Sequence, residues 1–431
     1  MKYVNQKRIL FVIIVISLIL RISFIYTNRN AWGNEFGWGP DEKRNYEIAS
    51  NYLKGFGYSI KNESGQYITT AFHSSFPVFI YKYLITSGIQ IEYWTLFIQF
   101  LSTILYAFSI ISFYRIINFF THSWKRSIFG SSVYAFYPSI IYYIGSLFLY
   151  ENIVLPILVI LANRLLEILK NRTISLTEIG FISLMVTISI LIRPQVVPIY
   201  FGLFLTFGFT ILSDNLGNYH NIMKRGIVLI VFMPLVIFLA HIPILKINYS
   251  MFGHYIISTQ VGFSLLEGHN PYARGSWSSE GLADKYAFMM IPKITEMNEY
   301  EGSQARKKIA LNWIVNNPLA EVILLLRKMA IIFLPKNYSI GKNILPYSDI
   351  FNPINFFVHF LFLLSVFLMC LRIRELELPE LIVLSPVVFS ILLSLVFFVG
   401  YRWRLWAEPF MITYIFIVSN KFGYFHDGQR N

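Results

Sequence analysis

Cysteine and charged residues are both scarce in this 431-residue sequence. Its single cysteine, Cys370, excludes an intrachain disulfide and a cysteine-based metal cluster. Charged residues make up 14% of the chain, whereas roughly 25% is usual for a soluble protein. Hydrophobic residues make up 55%, and they fall in long runs that alternate with short polar segments. These features indicate a protein embedded in a membrane.

The apolar runs approach or reach the ~20 residues that a helix needs to cross ~30 Å of hydrocarbon. No small-residue cleavage site follows the first run, so we expect a retained helix rather than a signal peptide. The runs predict an all-α, polytopic membrane protein with a single domain over residues 1–431. About ten transmembrane helices are expected, at 8–27, 93–117, 127–146, 149–169, 176–192, 196–213, 226–247, 353–371, 380–400 and 405–420.

Positive charge collects at the ends of these runs. The formal net charge of +13 would suggest nucleic acid as a partner of a soluble protein. Here the Lys and Arg residues follow the positive-inside rule for membrane helices, so nucleic-acid binding is not expected. Lys2, Lys7 and Arg8 precede the first span, which predicts cytoplasmic N- and C-termini. Each further cytoplasmic segment has a basic cluster: Lys125 and Arg126, Lys170 and Arg172, Lys224 and Arg225, Arg372 and Arg374, and Lys421 and Arg430.

Two large loops, 28–92 and 248–352, are predicted on the outer side, with short interfacial helices. Within the second loop, Trp313–Pro335 is apolar enough to suggest an eleventh span, but it carries Arg327 and Lys328 in its middle. A charge at the bilayer centre costs at least ~2.5–3.5 kcal/mol on insertion scales. We therefore predict an amphipathic helix along the outer surface, with eleven spans as the alternative.

Ionisable residues gather near the predicted outer ends of the spans. Charged groups at a membrane edge are costly unless they are paired or functional. Their gathering on one side suggests a polar site at the outer mouth of a helix bundle. The residues are Asp41, Glu42, Glu151, Arg193, Arg402, Arg404 and Glu408.

Each of these residues also has a purely structural interpretation. The acidic pair in the first loop could cap a helix over 43–53, and Glu151 could simply pair with Arg193. The two later arginines could be anchors whose charged ends reach the interface, with Glu408 as a salt-bridge partner. His73 is of a type that more often serves as a structural hydrogen-bonding residue than as a catalyst.

Five segments, taken in order, make the pattern more specific. They are Gly39–Tyr58, Ser146–Glu151, Ile192–Pro194, Gly262–Trp277 and Tyr401–Pro409. This ordered set resembles the GT-C superfamily of membrane glycosyltransferases. It is most similar to the branch of the dolichyl-phosphate-mannose protein mannosyltransferases and the lipid A aminoarabinose transferase. The likeness extends over nearly the whole chain.

The sequence departs from the pattern of that family at three places. His269 stands where an Asn is common, and Trp406 stands where a proline often does. The Pro-x-x-Pro of the first loop is reduced to His73–Pro77. These departures concern the substrate rather than the class of reaction.

The resemblance implies an inverting transfer of a sugar from a polyprenyl-phosphate donor on the non-cytoplasmic face. A carboxylate can take the proton of the acceptor, and arginine matches phosphate oxygens with its planar fork. The expected roles are Asp41, with Glu42, for catalysis; Glu151, Arg193 and His73 for orienting the acceptor; Arg402, Arg404 and Lys328 for the donor phosphate; and Gly268, His269, Asn270 and Pro271 for the loop motif.

No cofactor and no metal ion are expected, because no His or carboxylate cluster has metal-ligand spacing. A divalent cation is the alternative, since some members of the superfamily that the sequence resembles use one and others do not. The expected partners are the polyprenyl-phosphate sugar donor, the lipid bilayer, and an acceptor that could be a protein, a lipid or a glycan. The expected location is a plasma membrane, with a bacterial one favoured. Two alternatives stay open: a polysaccharide polymerase or ligase, and a transporter or flippase of lipid-linked sugars. Transporters often show repeated halves and broken central helices, and no such repeat is evident.

Overall fold

A computed structural model of the chain describes residues 2–28, 40–62, 65–72, 75–141, 151–213, 220–277, 280–333 and 348–423. The predicted site residue His73 lies outside these ranges. Helices dominate the described residues. They are α1 (Lys2–Asn28), α2 (Pro40–Leu53), α3 (Ser75–Thr86), α4 (Ile91–Thr121), α5 (Trp124–Ala135), α6 (Glu151–Asn171), α7 (Leu176–Ile192), α8 (Val197–Ser213), α9 (His220–Phe252), α10 (Gln260–Gly268), α11 (Leu282–Met290), α12 (Glu299–Asn316), α13 (Pro318–Phe333), α14 (Ser348–Leu371), α15 (Glu380–Val396), α16 (Tyr401–Leu405) and α17 (Glu408–Lys421).

A single small hairpin interrupts the helices of the described chain. It joins β1 (Ser59–Lys61) to β2 (Tyr67–Thr69) in an antiparallel pair, with Ile60 opposite Ile68. Gly65 has a φ of +85° in the connecting turn, a conformation that favours glycine. The hairpin lies in the first predicted outer loop.

Six of the described helices are long and apolar enough to cross a membrane, within α1, α4, α6, α8, α9 and α14. Two further predicted spans correspond to α7 and α15, which have 17 residues each. The predicted span at 405–420 corresponds to the 14-residue α17, and the span at 127–146 begins in α5 and runs beyond the described residues. The protein is therefore a multi-pass helical membrane protein, and the number of ten spans stays a prediction.

The spans differ in how far the protein covers them. In the most hydrophobic part of α6, 78% of the residues are buried, whereas in α1 and α9 only 17% are. Helix α6 packs against α4, α8 packs against α15, and α14 packs against α17. Because α1 and α9 leave most of their apolar surface uncovered, they form the outer, lipid-facing part of the bundle.

The predicted first span contains a fully buried arginine, Arg21. Its guanidinium lies 3.5 Å from the ring centroid of Tyr106 and donates a hydrogen bond to the carbonyl of Ala135 at 3.2 Å. The charge therefore faces α4 and the end of α5 rather than lipid. This arrangement is how a membrane helix accommodates an arginine.

The segments predicted to be cytoplasmic meet at one end of the bundle. Asn420 donates to the carbonyl of Phe120 at 3.3 Å, and Lys421 lies 3.4 Å from Glu377. Lys421 also pairs with the buried Glu380 at the start of α15. The mutual proximity of these segments agrees with their assignment to one side of the membrane, while the orientation of the chain remains a prediction.

The two predicted outer loops pack against each other. The backbone N–H of Ala71 donates to Glu299 at 2.8 Å, and the N–H of Thr259 donates to the carbonyl of Ala71 at 3.0 Å. Helices α10 and α12 approach closely at Gly262, where an added Cβ would lie 1.9 Å from the carbonyl oxygen of Ser303. A side chain at Gly262 would separate the two helices.

The predicted helix Trp313–Pro335 is broken in the structure. Its first four residues belong to α12, and α13 begins at Pro318 with its axis turned by 105°. The cause is Pro318, because proline disfavours a helical conformation at the preceding residue and is suited to the first turn of a new helix.

Helix α13 buries charged side chains and exposes apolar ones, the reverse of a helix on the surface of a soluble protein. It buries Glu321 and Lys328 against the protein, while Leu319, Ile323 and Leu326 are exposed. An apolar face turned away from the protein is the pattern expected for contact with lipid.

Candidate active site

Arg193 brings together two of the predicted acidic residues. Its Nη2 lies 3.0 Å from Oε1 of Glu151, and its Nη1 lies 3.9 Å from Oδ2 of Asp41. The Glu151 side chain is 1% exposed, and that of Asp41 is 23% exposed. One carboxylate is therefore deeply buried, and the other lies at the edge of solvent.

Local backbone structure explains why these three side chains meet. Pro194 follows Arg193 and begins a 3₁₀ turn, so Arg193 leaves the helix at φ −141° and ψ 84°. Its side chain consequently projects from the end of α7. Glu151 is the first residue of α6, and Asp41 lies in the first turn of α2 directly after Pro40. Both carboxylates thus lie at helix N-termini, where the helix dipole favours negative charge.

Glu42, the neighbour of Asp41, is fully buried in α2. Arg402 lies in α16, and its side chain is outside the described part of the structure. The expected contact of Arg402 with the donor phosphate therefore stays a prediction.

A cavity of about 550 Å³ opens beside Arg193. Residues from the first loop, the end of α7, the start of α8, the second loop and the junction of α15 with α16 line it. Most of the wall is apolar and includes Ile192, Val197, Tyr255, Leu393, Phe397 and Trp403, while its polar residues are Asn45, Arg193, Gln195, Ser258, Gln260 and Ser264. Its volume falls in the ~300–1,000 Å³ range of small-molecule sites.

Two glutamines are linked across this cavity. The side-chain Nε2 of Gln195 donates to Oε1 of Gln260 at 2.7 Å. Gln195 belongs to the 3₁₀ turn after Arg193, and Gln260 opens α10 in the second loop. The hydrogen bond therefore ties the helix bundle to the loop that covers it.

Arg404 is held inside the protein. Its Nε donates to Glu408 at 3.2 Å, and its Nη1 donates to the carbonyl of Ile332, near the end of α13, at 3.2 Å. His359 lies 3.8 Å from the same carboxylate oxygen of Glu408. Arg404 is 4% exposed, so the structure shows it in a buried charge group together with Glu408.

Lys328 has a comparable position and is fully buried. Its ammonium donates to the carbonyls of Leu395 and Phe397 at 2.9 and 2.6 Å and lies 3.1 Å from Nε2 of His269. An ammonium has three donors, and two of them go to these carbonyls. Lys328 therefore caps the end of α15 in the structure, and its contact with a donor phosphate stays a prediction.

The loop motif fastens the second loop to the same helix end. His269 lies 2.9 Å from Glu321 and 2.8 Å from the carbonyl of Val396. Asn270 donates to the carbonyl of Leu266 at 2.7 Å and so caps α10. At Gly268, an added Cβ would lie 1.6 Å from the carbonyl oxygen of Phe397. The motif, apart from the exposed Pro271, fixes the segment that leads to the cavity residue Trp403.

Several residues of the cavity could not be predicted from the sequence. Gln195 and Gln260 are neutral, so a search for charges near helix ends did not find them. Tyr255 and Trp403 were two among many aromatic residues near span ends. Among the described residues, no group of three or more His, Cys, Asp or Glu side chains is placed to hold a metal ion; metal-independent chemistry stays a prediction.

No protein-family model and no curated protein sequence match this chain. Among solved structures, it is similar to the oligosaccharyltransferase AglB of Archaeoglobus fulgidus in complex with an inhibitory peptide and a dolichol-phosphate. That match has a TM-score of 0.51 and 15% identity, and covers 97% of this chain and 50% of AglB. The apo form of the A. fulgidus oligosaccharyltransferase matches with a TM-score of 0.52 and 14% identity, over 96% of this chain and 51% of that one.

The chain thus spans about half the length of these oligosaccharyltransferases. At 14–15% identity the similarity concerns the fold alone. This chain accordingly shares the multi-pass helical fold of the matched half of these oligosaccharyltransferases.

Proposed function

We propose that this protein is a glycosyltransferase that moves a sugar from a polyprenyl-phosphate carrier to an acceptor on the outer face of the membrane. The observation that carries the proposal is the cavity beside Arg193, where an apolar wall meets a guanidinium. That guanidinium in turn pairs with the carboxylates of Glu151 and Asp41, which lie next to the cavity. A lipid-linked sugar has the matching chemistry, with an apolar chain, an anionic phosphate and a polar ring.

In this proposal Asp41 is the general base. A hydroxyl or amine of the acceptor attacks the anomeric carbon from the side opposite the phosphate. The bond between that carbon and the phosphate oxygen breaks, and the polyprenyl phosphate leaves with the electron pair. Attack from that opposite side inverts the configuration of the anomeric carbon. Asp41 takes the proton of the acceptor, which balances the reaction. Asp41 suits this role because it is the partly exposed carboxylate of the group.

Arg193 and Glu151 position the base. The Glu151 carboxylate is buried, so an acceptor does not reach it, but it holds one side of the Arg193 guanidinium. The other side of the guanidinium then faces Asp41. Glu42 supports the same first turn of α2 from the buried side.

Positive charge for the departing phosphate comes from Arg402 in α16. Arginine stabilises the charge that develops on a leaving phosphate. Arg404 serves in this scheme by positioning α16, because its donors already contact Glu408 and Ile332. Lys328 is given no part in donor binding in this scheme, because two of its three donors go to backbone carbonyls.

The AglB structure that shares this fold holds a dolichol-phosphate. That ligand belongs to the class of lipid phosphate proposed here, which supports a lipid-phosphate donor in preference to a nucleotide sugar. A mannosyl or aminoarabinosyl donor, as in the branch that the sequence resembles, is the finer part of the proposal.

The test is release of polyprenyl phosphate by the purified protein in nanodiscs. Undecaprenyl-phosphate-linked monosaccharides are supplied as donors and an extract of the source membranes as acceptor, with mass spectrometry as the readout. We expect turnover by the wild type and a loss of at least about 10²-fold in Asp41→Asn, with donor binding retained. Asp284→Asn, which changes an exposed carboxylate paired with Arg306, is the matched control and should turn over normally.

Turnover by Asp41→Asn at the wild-type rate would remove Asp41 from the mechanism. A wild type that releases no polyprenyl phosphate in nanodiscs but moves the intact donor across the bilayer of sealed vesicles would instead favour a flippase.

A further inference from the structure

Gln195 and Gln260 form a hydrogen-bonded pair of neutral polar side chains in a mostly apolar cavity. Both line it, and their side-chain amides share one hydrogen bond of 2.7 Å. The Oε1 atom of Gln195 is buried, and no residue in the described ranges donates a hydrogen bond to it. Buried polar atoms are nearly always hydrogen-bonded. This oxygen therefore has an accepting capacity that a donor in the cavity satisfies once the side-chain amide turns toward it.

The hydrogen-bonding capacity of the pair does not depend on how each amide is oriented. An amide has one oxygen that accepts and one NH₂ that donates. Once one amide donates to the other, the pair keeps a free oxygen on one residue and a free NH₂ on the other. Reversing both amides exchanges these two groups but leaves one acceptor and one donor.

One acceptor beside one donor complements two neighbouring hydroxyl groups. Each hydroxyl can both donate and accept, so one can donate to the amide oxygen while the next accepts from the NH₂. Neighbouring hydroxyls are the recurrent feature of a sugar ring, whereas a polyprenyl chain has none and a phosphate offers mainly acceptors.

The position of the pair favours the sugar of the donor. Gln195 is two residues from Arg193, which contacts Asp41, so the pair lies in the same turn as the polar group of the site. Gln260 belongs to the second loop. A sugar held by both residues would therefore contact the bundle and the loop at once.

We propose that Gln195 and Gln260 together bind two neighbouring hydroxyl groups of the donor sugar and so determine which sugar is accepted. This inference rests on the proposed function, because it assigns a role within the same cavity.

The experiment measures binding in nanodiscs without an acceptor. The probes are undecaprenyl phosphate without a sugar and a panel of undecaprenyl-phosphate-linked monosaccharides, each followed by its effect on the melting temperature across a concentration series. For the tightest-binding sugar, the monodeoxy analogues are then compared. The variants are Gln195→Met and Gln260→Met, which keep the length of the side chain and remove its hydrogen bonds. Gln66→Met, in the exposed hairpin outside the cavity, is the control.

We expect the sugar-linked lipid to bind the wild type about tenfold more tightly than the sugar-free lipid, as one or two net hydrogen bonds would give. In Gln195→Met and Gln260→Met that ratio should fall to about one, while affinity for the sugar-free lipid stays within about twofold. In the wild type, two neighbouring deoxy positions should each weaken binding, and in the variants neither should.

Two results overturn the inference and leave the proposed function standing: an unchanged ratio in both variants, or deoxy analogues that lose the same affinity in wild type and variants. The second would mean that the buried oxygen is satisfied by water. Failure of the proposed function looks different, because the wild type would then bind neither lipid. If Gln195→Met does not fold, Gln260→Met at the partly exposed start of α10 supplies the same comparison.

Discussion

Several buried charges in this protein are compensated by a group next to them. Glu151 is paired with Arg193, Glu408 with Arg404, and Lys328 with backbone carbonyls at a helix end. An uncompensated charge in a low-dielectric interior is very costly. Removal of one member of such a pair should therefore lower the free energy of unfolding, mainly because its partner stays buried without compensation.

The pair of Arg193 and Glu151 gives one such prediction. Within the described chain, Arg193 is the only basic side chain in contact with the buried Glu151 carboxylate. Arg193→Ala should lower the free energy of unfolding by about 3–5 kcal/mol, measured by denaturation in mild detergent. The control Arg115→Ala removes an exposed partner of Glu167 and should cost about 1 kcal/mol or less. Equal losses in the two variants would argue against a buried ion pair at the site.

Lys328 gives a second prediction, which separates two roles. If it caps α15, Lys328→Met should lower stability by about 1–3 kcal/mol, because helix-end carbonyls lose their donor. Affinity for polyprenyl phosphate should then fall no more than stability explains. The adjacent Arg327 is exposed, and Arg327→Met should leave the melting temperature unchanged. A stable Lys328→Met protein with a lost affinity for the lipid phosphate would support the role expected from the sequence.

At the scale of residues, the positions of charged side chains were what could be used for prediction from the sequence. Asp41, Glu151 and Arg193 could be predicted to meet because acidic and basic residues at the ends of membrane helices need partners. The partners of Lys328 are backbone carbonyls, which no side-chain pattern reveals. The roles of these residues in catalysis are still predictions.

At the scale of elements, the important contact is between the loop motif and the break after α15. Gly268 ends α10 against the backbone of Phe397, and Val399 donates to the carbonyl of Gly275 at 2.8 Å. Two backbones can approach this closely only where a Cβ is absent. The contact fixes Trp403, and with it one wall of the cavity.

We predict that Gly268→Ala disturbs this junction. Its Cβ would lie 1.6 Å from a backbone oxygen, so the backbone must shift at a cost of about 1–3 kcal/mol or more. Stability and donor affinity should both fall. Gly180→Ala is the control, because nothing lies within 4 Å of its added Cβ in α7. Alanine there should stabilise the helix by about 0.5–1 kcal/mol. A Gly268→Ala protein as stable as the control would show that the junction is loose.

The helices themselves were largely predictable, because an apolar run of ~20 residues has few alternatives in a membrane. The run at 176–192 coincides with α7. The prediction of one helix over Trp313–Pro335 was wrong. It followed the hydropathy of the segment and overlooked Pro318, at which a new helix begins. The hairpin of β1 and β2 was not predicted, since strands of three residues leave too short a pattern.

At the scale of the whole molecule, α15 extends from the segment predicted to be cytoplasmic to the cavity. Glu380 at its start pairs with Lys421 in the segment predicted to be cytoplasmic, while Leu393 near its end lines the cavity. The 13-residue step from Glu380 to Leu393 rises about 20 Å along the helix, so the cavity and Lys421 lie near opposite ends of α15. Charge distribution along the sequence could predict this separation, but it could not decide the number of spans.

The central claim is that the cavity beside Arg193 holds a lipid-linked sugar. The most direct test is an electron cryo-microscopy structure of Asp41→Asn in nanodiscs with its tightest-binding undecaprenyl-phosphate sugar. The account predicts density for the sugar and phosphate between Arg193 and Trp403, with the lipid chain leaving along the apolar wall. Density for the donor at the opposite end, near Glu380 and Lys421, would contradict it.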